Sequence, residues 1–331
     1  MARILVYEPL SAGDPESTDA LGRDSPAHAG MLAAGRAMRD AVAGDLARVA
    51  GTTVTVAVAE QEAGHLHGPQ VRAISPLPGE GAVAFVRRQA PLHELCWVIA
   101  PESGGLLLRL RRAVGAARWI GCSEQAIRLA ASKRATCEVL AGAGLLTPPA
   151  FAARHRGDWI VKPDDGAGTL DTRRHATRAA AHADLQRRLQ AGRPAVMEPF
   201  VDGEPLSIAT IVGPVLAHAL AFNRQRLERD AAGWLHDLGV QPAAIPPADP
   251  RAVLLRPLAA RVAAAMPGLR GYVGIDVVWN ERTGPVVIEV NPRVTCAYVG
   301  LSGILHRNLA ADVLAVHRRA GAQEAAGHVA A

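Results

Sequence analysis

The segment Tyr272–Arg293, YVGIDVVWNERTGPVVIEVNPR, sets two apolar runs around a polar turn that closes on Gly284–Pro285, the pattern of a β-hairpin. If pairing is symmetric about Arg282–Thr283, Asp276 falls opposite Glu289. Asn291, two residues beyond Glu289, shares their face. Opposed carboxylates about 5 Å apart destabilise a sheet unless something neutralises them. A hard divalent cation that takes carboxylate and amide oxygens does so. A coincidental pair of exposed edge charges is the alternative. Against it, both acids interrupt strongly apolar strands and the asparagine falls in phase. Asp276, Glu289 and Asn291 are therefore read as a metal set, and Mg²⁺ held by few protein ligands also takes substrate phosphates.

The first third alternates strand and helix: Ile4–Tyr7, a helix over about 28–49, Thr52–Ala59, Leu95–Ile99 and a helix over about 105–117. That alternation predicts a parallel sheet with crossover helices. Glu8 and Glu102 follow two of these strands, where such sheets bind ligands. A capping or solvated carboxylate explains either acid equally well. One helix is expected over 123–143, with Ser123 as its cap. Beyond Pro148–Pro149 the texture turns to strands, with one helix over about 251–265. The fold class is thus α/β followed by α+β.

Composition sharpens two short segments. The chain has 34 arginines and two lysines, Lys133 and Lys162. Arginine is a planar fork and lysine a compact point charge, so a lysine kept against such a background marks a tight site. Lys162 ends a strand and precedes Asp-Asp-Gly-Ala-Gly-Thr, small residues that let backbone N–H groups approach a phosphate. Lys133 is followed by Arg134, so arginine was available there. The segment VMEPFVDGEPLS (196–207) ends a strand at Glu198 and turns at Asp202-Gly203-Glu204, an edge suited to an adenine and a ribose, or simply a hairpin turn. With 49% apolar and 20% charged residues the chain is globular. No apolar run approaches the roughly 20 residues of a membrane span, and MARILVYEPL reads as a strand, without the zones of a signal peptide. Four scattered cysteines without a CxxC pair suit reduced thiols in a cytoplasmic protein. The net charge of +5 comes with dispersed arginines and only 4% aromatics, which favours small anions over nucleic acid as partners.

In the order SKR, VKPDDGAG, MEPFVDGEPLS, GIDVVW and IEVNPR, these motifs resemble the ATP-grasp superfamily of carboxylate–amine ligases over essentially the whole chain. The resemblance implies an ATP-grasp fold with an N-terminal Rossmann-like domain over 1–118, a first lobe over 119–201, a second over 202–320 and a flexible tail over 321–331. It implies that Lys133 and Lys162 contact ATP phosphates, and that Gly166, Ala167 and Gly168 form a mobile loop over the γ-phosphate. Glu198 with the backbone near Phe200 and Val201 would bind adenine, and Glu204 (or Asp202) the ribose. Asp276, Glu289 and Asn291 would bind two Mg²⁺ (or Mn²⁺) ions. ILVYEPLSAG, WVIAPESGGLL and NPRVTCAYVGLSG narrow the resemblance to the group that joins tyramine to L-glutamate in methanofuran biosynthesis. Small-molecule carboxylate and amine substrates are then expected, with no nucleic acid or membrane, and a homodimer is compatible. One departure stands out. Many amino-acid ligases have an arginine two residues before the hairpin aspartate, and here that residue is Gly274. Arg293 is the first substitute for steadying the transition state, and Asn223, Arg224, Gln225 and Arg226 form a second candidate cluster. Cys296, His218, His236 and His306 are read as structural, His236 in a loop near the cleft. Another ATP-grasp amino-acid, dipeptide or polyglutamate ligase, or a nucleotide-binding regulator without catalysis, are the alternatives.

Overall fold

The computed structural model describes residues 2–62, 70–166 and 168–329, with side chains through Ala320. The chain forms two compact units. The first is assembled from three stretches, Met1–Ala100, Leu106–Cys122 and Arg293–Ala331; the second comprises Pro101–Gly105 and Ser123–Pro292.

In the first unit, strands β1 (Ala2–Tyr7), β2 (Thr52–Ala57), β3 (Val71–Ile74), β4 (Leu95–Val98) and β5 (Trp119–Ile120) form one sheet in the order β3-β2-β1-β4-β5. Every pairing is parallel. Parallel strands are covered on both faces and therefore read as apolar runs. Ile4, Leu5, Val6, Val54, Val56, Cys96 and Val98 are accordingly buried. Helices Pro26–Ala47, Ala82–Gln89 and Leu106–Val114 connect these strands. Leu107 and Leu110 are fully buried, and Arg109, Arg111 and Arg112 lie on the less buried side of their helix.

The segment from Arg293 onward belongs to this first unit, whereas motif order groups residues up to 320 with the second lobe. The physical tie is Asp45, buried on helix Pro26–Ala47. Its Oδ2 accepts from the Tyr298 hydroxyl at 2.7 Å and from Ser302 Oγ at 2.5 Å. The Asp45 carbonyl accepts from Asn308 Nδ2 at 2.8 Å, and the Tyr298 ring meets Trp97 edge-on at 6.2 Å. Tyr298 and Ser302 of VTCAYVGLSG are thus anchors of the returning chain. Helix Leu309–Val329 then runs through most of the segment expected as a flexible tail, while residues 330 and 331 lie outside the described residues.

The second unit holds two sheets. β6 (Trp159–Pro163), β7 (Arg173–His175) and β8 (Ala195–Pro199) are ordered β7-β6-β8. β9 (Glu204–Val212), β10 (Ala217–Arg229), β11 (Leu235–Ile245), β12 (Gly271–Asn280) and β13 (Gly284–Asn291) are ordered β11-β10-β9-β12-β13, all antiparallel. The single helix expected over 123–143 is in fact two, Glu124–Ala130 and Lys133–Gly142. Ser123 caps the first through Ala126 N, and Ser132 caps the second through Ala135 N, each satisfying an N–H that a helix start leaves open. Lys133 therefore opens a helix. The turn predicted around His236 is instead part of β11, and His236 lies 3.2 Å from Asp230.

The hairpin that carries Asp276 and Glu289 departs from expectation in one way. Near its turn, Asn280 pairs with Gly284 and Val278 with Val286, centring the register on Arg282 alone. Between Val277↔Val287 and Asp276↔Glu289 the register shifts, and Ile288 is the extra residue. Without that β-bulge Asp276 would face Ile288, and Glu289 would turn to the opposite face. The acids are opposed as expected, but by a bulge and not by a symmetric turn.

Replacing Tyr298 by Phe should remove a hydrogen bond to a buried carboxylate. We expect a loss of about 1.5–3 kcal/mol of unfolding free energy, read as a lower urea midpoint with an unchanged slope.

Candidate active site

The two lysines meet carboxylates inside the second unit. Lys162 leaves β6 and reaches Glu198 on β8, Nζ to Oε1 2.5 Å, with both side chains 7% exposed. The strand register explains the pair. Lys162 sits opposite Val196 and Ile160 opposite Glu198, so the two side chains are diagonal neighbours on one face, within reach when both are long. Burial pulls the Lys162 ammonium down, but the carboxylates of Glu198 and Glu289 outweigh it and leave its pKa above that of ordinary lysine. Lys162 is therefore a cation across the whole physiological range.

Lys133, 5% exposed, contacts Glu289 Oε1 at 3.1 Å and donates to the Gly166 carbonyl at 2.6 Å. It thus connects the start of its helix, the glycine-containing loop and the β12–β13 hairpin. The loop's entry is fixed around Asp164. Its carboxylate accepts from Ser132 Oγ at 2.8 Å and Arg134 N at 3.0 Å, and its carbonyl from Lys133 N at 3.0 Å. Asp165 Oδ2 accepts from Gly104 N at 3.0 Å. Gly168 has φ +65°, a backbone state that side chains other than glycine rarely adopt. Ala167, expected in the same loop, lies outside the described residues.

Asp276 stands directly opposite Glu289, and Asn291 opposite Gly274, two residues from Asp276 on the same face. Asn291 Nδ2 donates to Asp276 Oδ2 at 3.1 Å, and Gln225 Nε2 donates to Oδ1 at 3.0 Å. The Asn291 amide thus turns its nitrogen to Asp276. Two opposed carboxylates and an amide oxygen form a hard-oxygen donor set that fits Mg²⁺. Among the described residues no group of three or more His, Cys, Asp or Glu side chains gathers as a metal cluster, so the set depends on the asparagine.

The other expected residues have partners of their own. Glu204, at the start of β9, takes Arg224 Nε at 2.5 Å and also pairs with Arg251. Arg224, expected to steady the transition state, is thus committed to the acid expected to bind ribose. The rest of its cluster disperses as well. Asn223, fully buried, donates to Ser207 O and Oγ at 3.2 Å; Gln225 serves Asp276; Arg226 Nη2 donates to the Leu238 carbonyl at 2.9 Å. Arg293 falls in the first unit, where its Nη1 donates to the Val294 carbonyl at 3.3 Å. The Phe200 N–H is spent on the Asp158 carbonyl at 2.8 Å, and the Arg174 guanidinium lies 3.7 Å from the Phe200 ring centroid. Glu8, in the first unit, is buried and accepts from Ser11 N at 2.7 Å and Leu10 N at 3.3 Å. Burial raises its pKa against those hydrogen bonds. Glu102, in the second unit, is buried.

Sequence reasoning placed Gln225 in a different role and gave Cys137 none near the lysines. Gln225 is 51 residues from Asp276, and only the sheet order brings them together. Cys137, one turn after Lys133, is buried, and burial first, then Glu198, pushes its thiol up to about 12.

A family model described as the ATP-grasp domain matches residues 130–297, and one described as the pre ATP-grasp 3 domain matches residues 53–127. Tyramine–L-glutamate ligase of Methanocaldococcus jannaschii is 28% identical over 207 residues, covering 62% of this chain and 57% of that protein. The chain thus spans well under two thirds of that relative's length. Among solved structures, an ATP-grasp superfamily protein of Archaeoglobus fulgidus aligns with TM-score 0.68 at 20% identity, over 95% of this chain and 88% of that one. D-alanine–D-alanine ligase of Bacillus anthracis aligns with TM-score 0.62 at 13% identity, over 98% and 100%. These two likenesses concern the fold.

Because the thiolate is the reactive form, Cys137 should resist iodoacetamide at pH 8.5 in the folded protein and react fully in urea. Peptide mass spectrometry reads both states.

Proposed function

The chain belongs to the ATP-grasp family, and from that premise we propose that it is an ATP-dependent, ADP-forming ligase that joins a carboxylate to an amine. The observation that supports this best is that Lys133 meets Glu289 of the acid pair while Lys162, held by Glu198, also feels the charge of Glu289, which brings both lysines to one side of the Asp276–Glu289 hairpin. The substrates we assign are the side-chain carboxylate of L-glutamate and tyramine or a similar arylethylamine, in the making of a methanofuran-type one-carbon carrier. They rest on the name of the Methanocaldococcus jannaschii relative.

Lys133 and Lys162 would give up part of their carboxylate pairing to the ATP phosphates, two compact charges at the base of a loop whose backbone N–H groups face the same phosphates. Glu198 and the backbone at Val201 would hold adenine, with Phe200 contributing its carbonyl. Glu204, oriented by Arg224 and Arg251, would take the ribose hydroxyls. Asp276, Glu289 and Asn291 would hold Mg²⁺, which when bound offsets phosphate charge. The substrate carboxylate oxygen attacks the γ-phosphorus and the bond to ADP breaks. The amine nitrogen then attacks the acyl carbon, phosphate departs and the amine loses a proton. The protein's share is positioning and charge neutralisation, so no nucleophilic side chain is needed and Cys137 and Cys296 stay outside the chemistry.

ADP should be released from ATP only when glutamate and an amine are both present, with the amide product identified by mass. ATP binding without turnover across a broad acid and amine panel would refute the ligase assignment. Glu289→Gln and Asp276→Asn should each lower kcat/KM by roughly 100-fold or more while melting temperature holds. Lys162→Arg keeps the charge but cannot keep the compact pairing with Glu198, so it should lose a similar factor. Near-normal activity in that variant would show that the spared lysine carries no special role.

A further inference from the structure

Directly paired residues in a sheet share a face. Asn223 on β10 pairs with Ser207 on β9, Ser207 with Asp276 on β12, and Asp276 with Glu289 on β13. One polar row therefore crosses four strands of the sheet. Its far end is scaffold: Asn223 is fully buried, donates to Ser207 and accepts from Ala243 N at 3.0 Å. Gln225, two residues further along β10, does something different. It is half-buried, and its amide reaches across β9 to Asp276 Oδ1 at 3.0 Å. Asn291 approaches from the other side and donates to Oδ2 at 3.1 Å.

We infer that Gln225 is a positioning residue for metal binding, which with Asn291 fixes the Asp276 carboxylate in the orientation that accepts a divalent cation. The inference rests on the metal assignment made above and adds to it a residue from a strand that carries no ligand. The physical reason lies in the donor type. An amide N–H orients a carboxylate oxygen and brings no positive charge of its own, whereas a guanidinium at the same place would compete with the metal. In a chain with 34 arginines, residues 224 and 226 are arginine and residue 225 is not. Arg224 turns to Glu204 and Arg226 to the Leu238 carbonyl, leaving the neutral side chain to face Asp276. Partners that hydrogen-bond a ligating carboxylate typically govern 10–100-fold in metal affinity (on the order of that range across metal sites).

The test uses the full chain with ADP and reads free Mn²⁺ by electron paramagnetic resonance. Gln225→Met, similar in volume but without a donor, should weaken Mn²⁺ binding by roughly 10–100-fold with melting temperature and metal-free ADP affinity unchanged. In the coupled assay it should raise the Mg²⁺ concentration for half-maximal rate while kcat recovers at saturating Mg²⁺, a split that a merely structural defect would not produce. Gln225→Asn keeps the amide but shortens its reach, and should show the same loss if the Met variant does not fold. Mn²⁺ affinity within about twofold of wild type in either folded variant, set against a clear loss in Asp276→Asn, would overturn the role of Gln225 alone. If Asp276→Asn also binds Mn²⁺ normally, the metal assignment falls and takes this inference with it.

Discussion

Asp276 and Glu289 stand opposite each other on adjacent strands, where two negative charges push a sheet apart. The second unit is arranged around containing that repulsion. Glu289 is met by Lys133 from the start of a helix, and Asp276 by one amide on each oxygen. The two solutions differ in kind. A lysine neutralises its acid and can exchange it for phosphate, whereas amides only orient theirs. Glu289 thus has a cation beside it, and the Asp276 carboxylate is oriented by two amides. A bulge at Ile288 is what makes the opposition happen at all, in keeping with the frequency of bulges beside active sites.

The lysines illustrate how geometry selects chemistry. Lys162 and Glu198 are both nearly sealed from solvent, and a buried ion pair is worth little unless its geometry is good. The diagonal β6–β8 register supplies that geometry for a linear side chain ending in a point charge. A planar fork with five donors would leave several of them without acceptors in the same space. The spared lysines in an arginine-rich chain are explained by this fit.

Much of this was legible in the sequence, for identifiable reasons. The hairpin with opposed acids was, because acids interrupting apolar strands in phase are hard to produce by accident. The parallel sheet was, because strand and helix alternate. What escaped was set by long-range register or by short signals inside continuous patterns. The apolar period runs unbroken through Ser132, hiding the helix start that places Lys133. β11 contains Gly239, Pro242 and Asp237 and reads as loop; it is ordered by pairing with β10. Arg224 and Gln225 adjoin in sequence, yet strand alternation sends one to Glu204 and the other to Asp276. The return of Arg293 onward to the first unit was likewise hidden, since it depends on an aspartate some 250 residues earlier.

That return has a consequence for how the molecule comes into being. The first unit contains the earliest and the latest residues of the chain, while the second lies almost wholly in one uninterrupted stretch between them. During vectorial synthesis the second unit can close as soon as Pro292 has emerged, but Asp45 on helix Pro26–Ala47, held until then by Arg48, must wait for Tyr298 and Ser302 to arrive. At ribosomal speeds of roughly 5–20 residues per second that interval is on the order of ten seconds to a minute. The amino-terminal sheet is therefore the part of this protein most in need of protection while it is being made.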